Sequence, residues 1–333
     1  MKIYIDGIEY LESNNDIVRS AIINYLNDWN ITVSTSGTTG EPKTYVHDAK
    51  LMRSIAEYNA EYLDLSSNST ILALYNPRGI GFTSMSLYLG AVTNCDVFYE
   101  TSATNYPDKI KEINPTYTLI LPNVWKTWHR HKKWKALDLS NLKHMQVGSD
   151  VTPNGLMEDL RAKGARKVTT AYGSTEVPPI IMSTEKHDIY HFNNIHPQID
   201  YKNINHDDGT IEWACKWKGQ SDYWHSGDLI EYTDDGEFFF AGRKHNMFKM
   251  ENCGDRVYPE QIEKVATETG ADLALCRKVA SRCVLYYTGN MNIKEFSKTH
   301  KCAYEIDPIK VNEIKIDDNL RKVKRNQNFE ATA

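Results

Sequence analysis

Ile31-Thr-Val-Ser-Thr-Ser-Gly-Thr-Thr-Gly-Glu-Pro-Lys-Thr44 joins a β-like run to a hydroxyl-rich loop with two glycines and a lysine behind them. The combination suits a polyphosphate. Gly37 and Gly40 allow close backbone approach and positive φ, so loop amides can point at anionic oxygens. Ser34, Thr35, Ser36, Thr38 and Thr39 add hydroxyl donors, and Lys43 adds a point charge. A P-loop would need glycine directly before the lysine. Pro42 stands there instead, with no amide hydrogen to give and a fixed φ, which argues against that reading. Taken alone, the segment also fits an ordinary Ser/Thr-rich loop.

Outward from this loop, apolar or β-branched runs recur at 71–75 (ILALY), 96–100 (DVFYE), 118–122 (TLILP), 145–149 (MQVGS) and 167–173 (KVTTAYG). Helix-like segments separate them. Leu51, Ile55, Tyr58 and Tyr62 are spaced as one apolar helix face, and Thr152-Pro153 predicts the start of a helix through Leu156 and Leu160. Strands alternating with helices predict an α/β fold with a mostly parallel sheet covered by helices. After about 208 the pattern becomes short strands with turn signals: Asp208-Gly209 before TIEWA, Gly227-Asp228 before LIEY, and Asp234-Asp235-Gly236 before EFFFAG. A short antiparallel segment follows from that.

Beyond Gly242-Arg243 a separate, small α+β unit is expected. Pro259 starts a helix toward Gly270, two strands lie around 273–279 and 282–287, a helix lies near 293–299, and a last strand lies near VNEIKI at 311–316. The predicted organisation is a large domain at 1–242, a hinge at 243–246 and a small domain at 247–333.

Composition narrows the function. The 333 residues hold 39 Lys plus Arg against 44 Asp plus Glu, a formal charge of −5, with 41% apolar side chains. This is a globular balance without a basic footprint for nucleic acid, although Arg321, Lys322, Lys324 and Arg325 form a local basic run. No stretch approaches the roughly 20 apolar residues that cross a bilayer, and no signal-type core follows Met1, so a soluble cytoplasmic protein is expected. The cysteines at 95, 215, 253, 276, 283 and 302 show no Cys-x-x-Cys or zinc spacing and are expected to be reduced thiols.

STSGTTGEPK at 34–43 resembles the phosphate-loop motif of the adenylate-forming superfamily, which includes acyl-CoA and aryl-CoA synthetases, nonribosomal-peptide adenylation domains and firefly luciferase. Further motifs occur in the family's order. Ala171-Tyr-Gly-Ser-Thr-Glu176 resembles its Tyr-Gly-x-Thr-Glu, which implies that Tyr172, beside Gly173, packs on adenine, Thr175 contacts the α-phosphate and Glu176 holds Mg²⁺. An aromatic face, a hydroxyl and a hard oxygen ligand match those three tasks. Gly148 lies in a looser match to the segment lining the nucleotide pocket. Tyr223-Trp-His-Ser-Gly-Asp-Leu229 is similar to aromatic-x-Thr-Gly-Asp, which puts Asp228 at the ribose hydroxyls. The stretch 240–263 resembles the handover between domains, implying that Arg243 joins Asp228 and that Gly254 borders a pantetheine tunnel. His245 and Asn246 replace two acidic residues there, one of them the family's hinge. Finally, 318–325 stands where the family carries its catalytic lysine, and register favours Lys322 over Lys324.

The resemblance implies attack of a carboxylate on the ATP α-phosphate, then transfer of the acyl group to a thiol. The expected cofactors are ATP, Mg²⁺ and CoA, and the expected substrate is a small carboxylic acid. The short region before the phosphate loop resembles compact o-succinylbenzoate:CoA ligase-like members, with a Trp-containing helix at 25–29. Loading of a carrier-protein thiol or another acceptor is the alternative, and a non-catalytic nucleotide-binding scaffold is an alternative of another class. Arg78 is either an acid-pocket cation for a second carboxylate or a surface residue. Either a compact enzyme does without the longer N-terminal region of other members, or a partner chain or second copy covers the surface it buries there, for which a homodimer is a reasonable expectation.

Overall fold

The computed structural model describes residues 1–28, 30–34, 44–74, 80–102, 105–177, 181–190, 194–250, 253–300, 304–315, 327 and 329. Among these the chain divides into two compact units, one running to His196 and one from Pro197 on.

The first unit is built on an eight-stranded sheet. Its strands are β1 (Ile3–Ile5), β2 (Ile8–Glu9), β5 (Thr70–Ala73), β6 (Asp96–Tyr99), β7 (Tyr117–Ile120), β8 (His144–Gly148), β9 (Lys167–Tyr172) and β10 (Met182–Thr184). Between β2 and β5 in sequence, β3 (Ile31–Ser34) and β4 (Thr44–His47) form a separate antiparallel hairpin. The sheet order is β10-β9-β8-β7-β5-β6-β1-β2, parallel throughout except for the two edge strands β2 and β10. Every residue of β7 and β8 is buried, as expected for parallel strands covered on both faces.

All five predicted parallel strands occur. The helix Ala49–Tyr62 is capped by Asp48, whose side chain accepts from the amide of Leu51. Its inward face differs from the predicted one. Met52, Ile55, Ala56, Asn59 and Ala60 are buried, while Tyr62 is exposed. Nor does the helix at Leu156–Ala162 open at Pro153. It starts after Gly155, whose φ of 81° ends the preceding turn. The helix Asp16–Asn27 stops before Trp29, which lies outside the described residues. A core of Trp134, Leu139, Met145, Leu156 and Leu160 fills one face of the sheet. Asp159 accepts from the indole nitrogens of both Trp125 and Trp134, at 2.8 and 2.7 Å.

The second unit begins with an antiparallel sheet of β11 (Ile199–Asn205), β12 (Ile211–Trp217), β13 (Trp224–Tyr232) and β14 (Phe238–Arg243), in that order. Tyr201, Trp213 and Phe238 stack across it, with ring centroids 4.9 and 5.7 Å apart. Gly227-Asp228 was predicted as a turn before the strand. Both residues instead lie inside β13, where Gly227 takes a φ of 68° within a register shift against β12 (Glu212 opposite Leu229, Ala214 opposite His225), so the irregularity is a bulge. After β15 (Phe248–Lys249) and β16 (Arg256–Val257) come the helix Pro259–Glu268, β17 (Ala271–Val279), β18 (Arg282–Gly289), the helix Ile293–Thr299 and β19 (Ile306–Lys310).

The last strand was predicted at 311–316 and lies at Ile306–Lys310. Pro308 cannot donate to a ladder, but among the described residues β19 is an edge strand paired only with β18, and an edge tolerates it. Met250, Val257, Ile262, Ala266 and Leu285 form the core here. Cys95, Cys215, Cys253, Cys276 and Cys283 are free thiols, and Cys302 lies outside the described residues.

Candidate functional site

In the first unit the relevant residues gather where β8 and β9 end. Gly148 pairs with Ala171, one residue before Tyr172. A Cβ on Gly148 would meet the carbonyl oxygen of Ala171 at 3.3 Å, so glycine lets the two strand ends close together. Ligands of open parallel sheets bind at the carboxyl ends of strands, and these are such ends. Tyr172 is half-buried, Gly173 is exposed, and Thr175 and Glu176 follow in a half-buried turn.

The hairpin strand β4 anchors that turn. His47 is 4% exposed, and its Nε2 lies 2.8 Å from the carbonyl oxygen of Thr175, which therefore accepts from an Nε2–H tautomer. Burial holds the imidazole below its ordinary pKa, against the raising effect of the Thr175 carbonyl and of Glu176. Two residues earlier, the Tyr45 hydroxyl donates to the Glu176 carboxylate. Partial burial first, then the negative charge of Glu176 and this hydrogen bond, hold the Tyr45 phenol above its ordinary pKa.

In the second unit, Asp228 is 6% exposed and pairs in register with Arg243 across β13 and β14. The Arg243 Nε lies 2.9 Å from Asp228 Oδ1, and half of the arginine side chain is exposed. The backbone amide of Asp228 donates to Ser226 Oγ at 2.9 Å, and the Ser226 hydroxyl donates to the carbonyl of Trp213. Glu212, itself buried, takes the amide of Gly227 at 3.2 Å. Its carboxylate also faces His206 at 2.9 Å, His225 at 3.8 Å and Lys244 at 3.9 Å. Sequence reading missed Glu212, Tyr45 and His47. Only the Tyr-x-His spacing directly behind the phosphate loop hinted at a shared strand face.

After Arg243 the chain turns, and the amides of Asn246 and Met247 both donate to the Arg243 carbonyl at 2.9 Å. The Asn246 side-chain amide donates to Glu260 at the start of the helix Pro259–Glu268. Gly254 sits in the turn between β15 and β16, its amide donating to the carbonyl of Met250 at 2.8 Å. Thr35, Ser36, Gly37, Thr38, Thr39, Gly40, Lys43, Arg78, Lys322 and Lys324 lie outside the described residues.

A Mg²⁺ ion bound together with ATP uses one or two carboxylates plus phosphate oxygens, so a single half-exposed Glu with oxygen lone pairs to spare fits it. Among the described residues no helix is long and apolar enough to cross a membrane.

The chain matches the AMP-binding enzyme family over residues 27–206, more than half its length, and it belongs to that family. Its fold is that of adenylate-forming ligases. The o-succinylbenzoate CoA synthetase of Bacillus subtilis, in complex with its acyl-adenylate intermediate, superposes with a TM-score of 0.75 at 17% identity over 89% of this chain and 68% of that one. The anthranilate CoA ligase AuaEII, in complex with anthranoyl-AMP, gives 0.72 at 18% over 88% and 65%. In sequence, the indoleacetate–CoA ligase of Aromatoleum aromaticum is 23% identical over 265 residues, 71% of this chain. The chain spans about half the length of that relative.

Proposed function

We propose that this protein adenylates a small carboxylic acid with ATP and passes the acyl group to the thiol of CoA. The observation that carries the reading is the register of β8 and β9, which sets Gly148, Tyr172, Thr175 and Glu176 at adjacent carboxyl ends of a parallel sheet. It is supported by the family match and by neighbours whose complexes hold acyl-adenylates, or ATP with magnesium. Tyr172 packs on the adenine, Thr175 donates to the α-phosphate, and Asp228 and Arg243 bind the ribose hydroxyls. The glycines and hydroxyls of 35–40, with Lys43, take the β- and γ-phosphates, and Gly148 clears room beside the base.

Magnesium held at Glu176 would neutralise phosphate charge. A carboxylate oxygen of the acid forms a bond to the α-phosphorus as the bond to the bridging oxygen breaks, and pyrophosphate leaves. Lys322 stabilises the charge that develops on the α-phosphate. The CoA thiol, losing its proton, then attacks the acyl carbonyl beside Gly254, and AMP leaves. The turn at 243–246 serves as the hinge between domains at 1–242 and 247–333.

Exchange of labelled pyrophosphate into ATP, scanned across a panel of aryl and alkyl acids, tests this. Exchange with some acid, and AMP release on adding CoA, are expected. Folded protein silent across the panel would point to a non-catalytic nucleotide binder, and a stall at the adenylate would point to a carrier-protein acceptor. Lys322→Ala should cut exchange on the order of 100-fold or more while ATP still binds. Lys324→Ala should leave exchange within about threefold, because a side chain outside the transition-state contacts adds little.

A further inference from the structure

The hairpin strand β4 reaches the turn that follows β9. Its residues alternate between two faces, and Tyr45 and His47 share one, while Val46 on the other is 71% exposed. The pairing of Tyr45 with Val33 and of His47 with Ile31 sets that face by the register of the whole hairpin. Both side chains end on consecutive residues of a segment more than a hundred positions away. His47 holds the Thr175 carbonyl, and Tyr45 holds the Glu176 carboxylate. One contact fixes the backbone of the turn, and the other fixes the rotamer of the acid it carries.

We propose that Tyr45 and His47 are positioning residues that orient the Glu176 carboxylate for Mg²⁺-ATP. The inference rests on the function proposed above. A carboxylate offers about four lone-pair positions, so a hydroxyl occupying one leaves the others for a cation and defines where they point. A neutral donor suits this task, because it orients the acid without cancelling the charge that the cation needs.

The test is calorimetric ATP binding, with Mg²⁺ and with EDTA, on the full chain. Tyr45→Phe removes only the hydroxyl. Its Mg²⁺ affinity in the ATP complex should fall about tenfold, as is usual when the partner of a metal ligand is lost, with ATP affinity in EDTA unchanged. In a Glu176→Gln background the same change should cost nothing further. His47→Leu should weaken Mg²⁺ in the same sense, and His47→Gln, which keeps an N–H donor, should restore most of it.

Tyr45→Phe with wild-type Mg²⁺ dependence overturns the assignment. So does an equal loss with and without Mg²⁺, or full additivity with Glu176→Gln. Wild-type protein that binds no ATP overturns both this assignment and the proposed function, whereas intact Mg²⁺-ATP binding with an indifferent Tyr45→Phe overturns this one alone.

Discussion

Glu176 in the first unit and Asp228 in the second are the two carboxylates the family pattern singles out, and the molecule supports them by different chemistry. Glu176 sits on an irregular turn, half-exposed, with a tyrosine hydroxyl on its carboxylate and a neutral histidine on the neighbouring carbonyl. Asp228 lies within a strand, almost fully buried, with a guanidinium 2.9 Å away and a buried glutamate network behind it. An O–H donor leaves a carboxylate's charge in place, which a dication requires. A guanidinium balances that charge, and lone pairs then remain for neutral ribose hydroxyls. The difference in support matches the difference in proposed ligand.

The same contrast extends to the histidines, and there it predicts the largest effect. In the first unit, burial holds His144 down to about 3, with Lys167 adding to the shift, and holds His196 down to about 4. His144 lies against Thr169 at 2.8 Å and His196 against the ring of Tyr58. Both folded values lie below the unfolded value of roughly 6.5, so below that pH the unfolded chain binds the protons and stability falls. At pH 5 each should cost about 2 kcal/mol, continuing until the folded values are reached. Hydrogen exchange at pH 7.5 and 5.0, corrected for intrinsic rates, should show β8 and β9 losing more protection than β12 to β14. Equal loss in both units would break the contrast. His300 in the second unit is also held down by burial, so some acid response is expected there as well.

A smaller effect is expected at Asp228, the proposed ribose ligand. Asp228→Asn keeps an acceptor but removes the charge facing Arg243, and ATP affinity should fall on the order of 10- to 100-fold. The loss should be the same with Mg²⁺ and with EDTA, opposite to the behaviour expected of Tyr45→Phe. Deoxyribose analogues of ATP should bind wild type more weakly than ATP does, and the variant should no longer distinguish them. A Mg²⁺-dependent loss in Asp228→Asn would mean that the two carboxylates share a role.

Much of this was legible in the sequence, and the failures have physical causes. The parallel strands declared themselves because strands buried on both faces are runs of apolar and β-branched residues. The inner face of the helix Ala49–Tyr62 was misplaced because two alanines and Asn59 fill it, and a search for large apolar side chains passes over them. Gly227-Asp228 carries a turn signature yet folds inside β13, since a bulge also needs a residue at positive φ. Pro308 disguised β19 because edge position is not visible in sequence. Motif order located Glu176, Asp228 and the Arg243 partner of Asp228, but not the supports Tyr45, His47 and Glu212. Tyr45 reaches Glu176 across 131 positions, and only the folded sheet and hairpin bring them together.

Glu212 offers the finest test of the contrast. One oxygen takes the Gly227 amide and the other faces His206, with Lys244 and His225 nearby, so the carboxylate holds the bulge that presents Asp228. Glu212→Gln preserves size and one acceptor but removes the charge that Lys244 faces. If the network serves Asp228, ATP affinity should drop about fivefold, corresponding to about 1 kcal/mol, the scale of one hydrogen bond. In an Asp228→Asn background the drop should shrink, because residues sharing one network do not act additively. An affinity loss that persists undiminished in the double variant would make Glu212 an independent contributor. Unchanged affinity with a lowered melting temperature would leave it as an internal ion pair of the sheet, with no part in presenting Asp228.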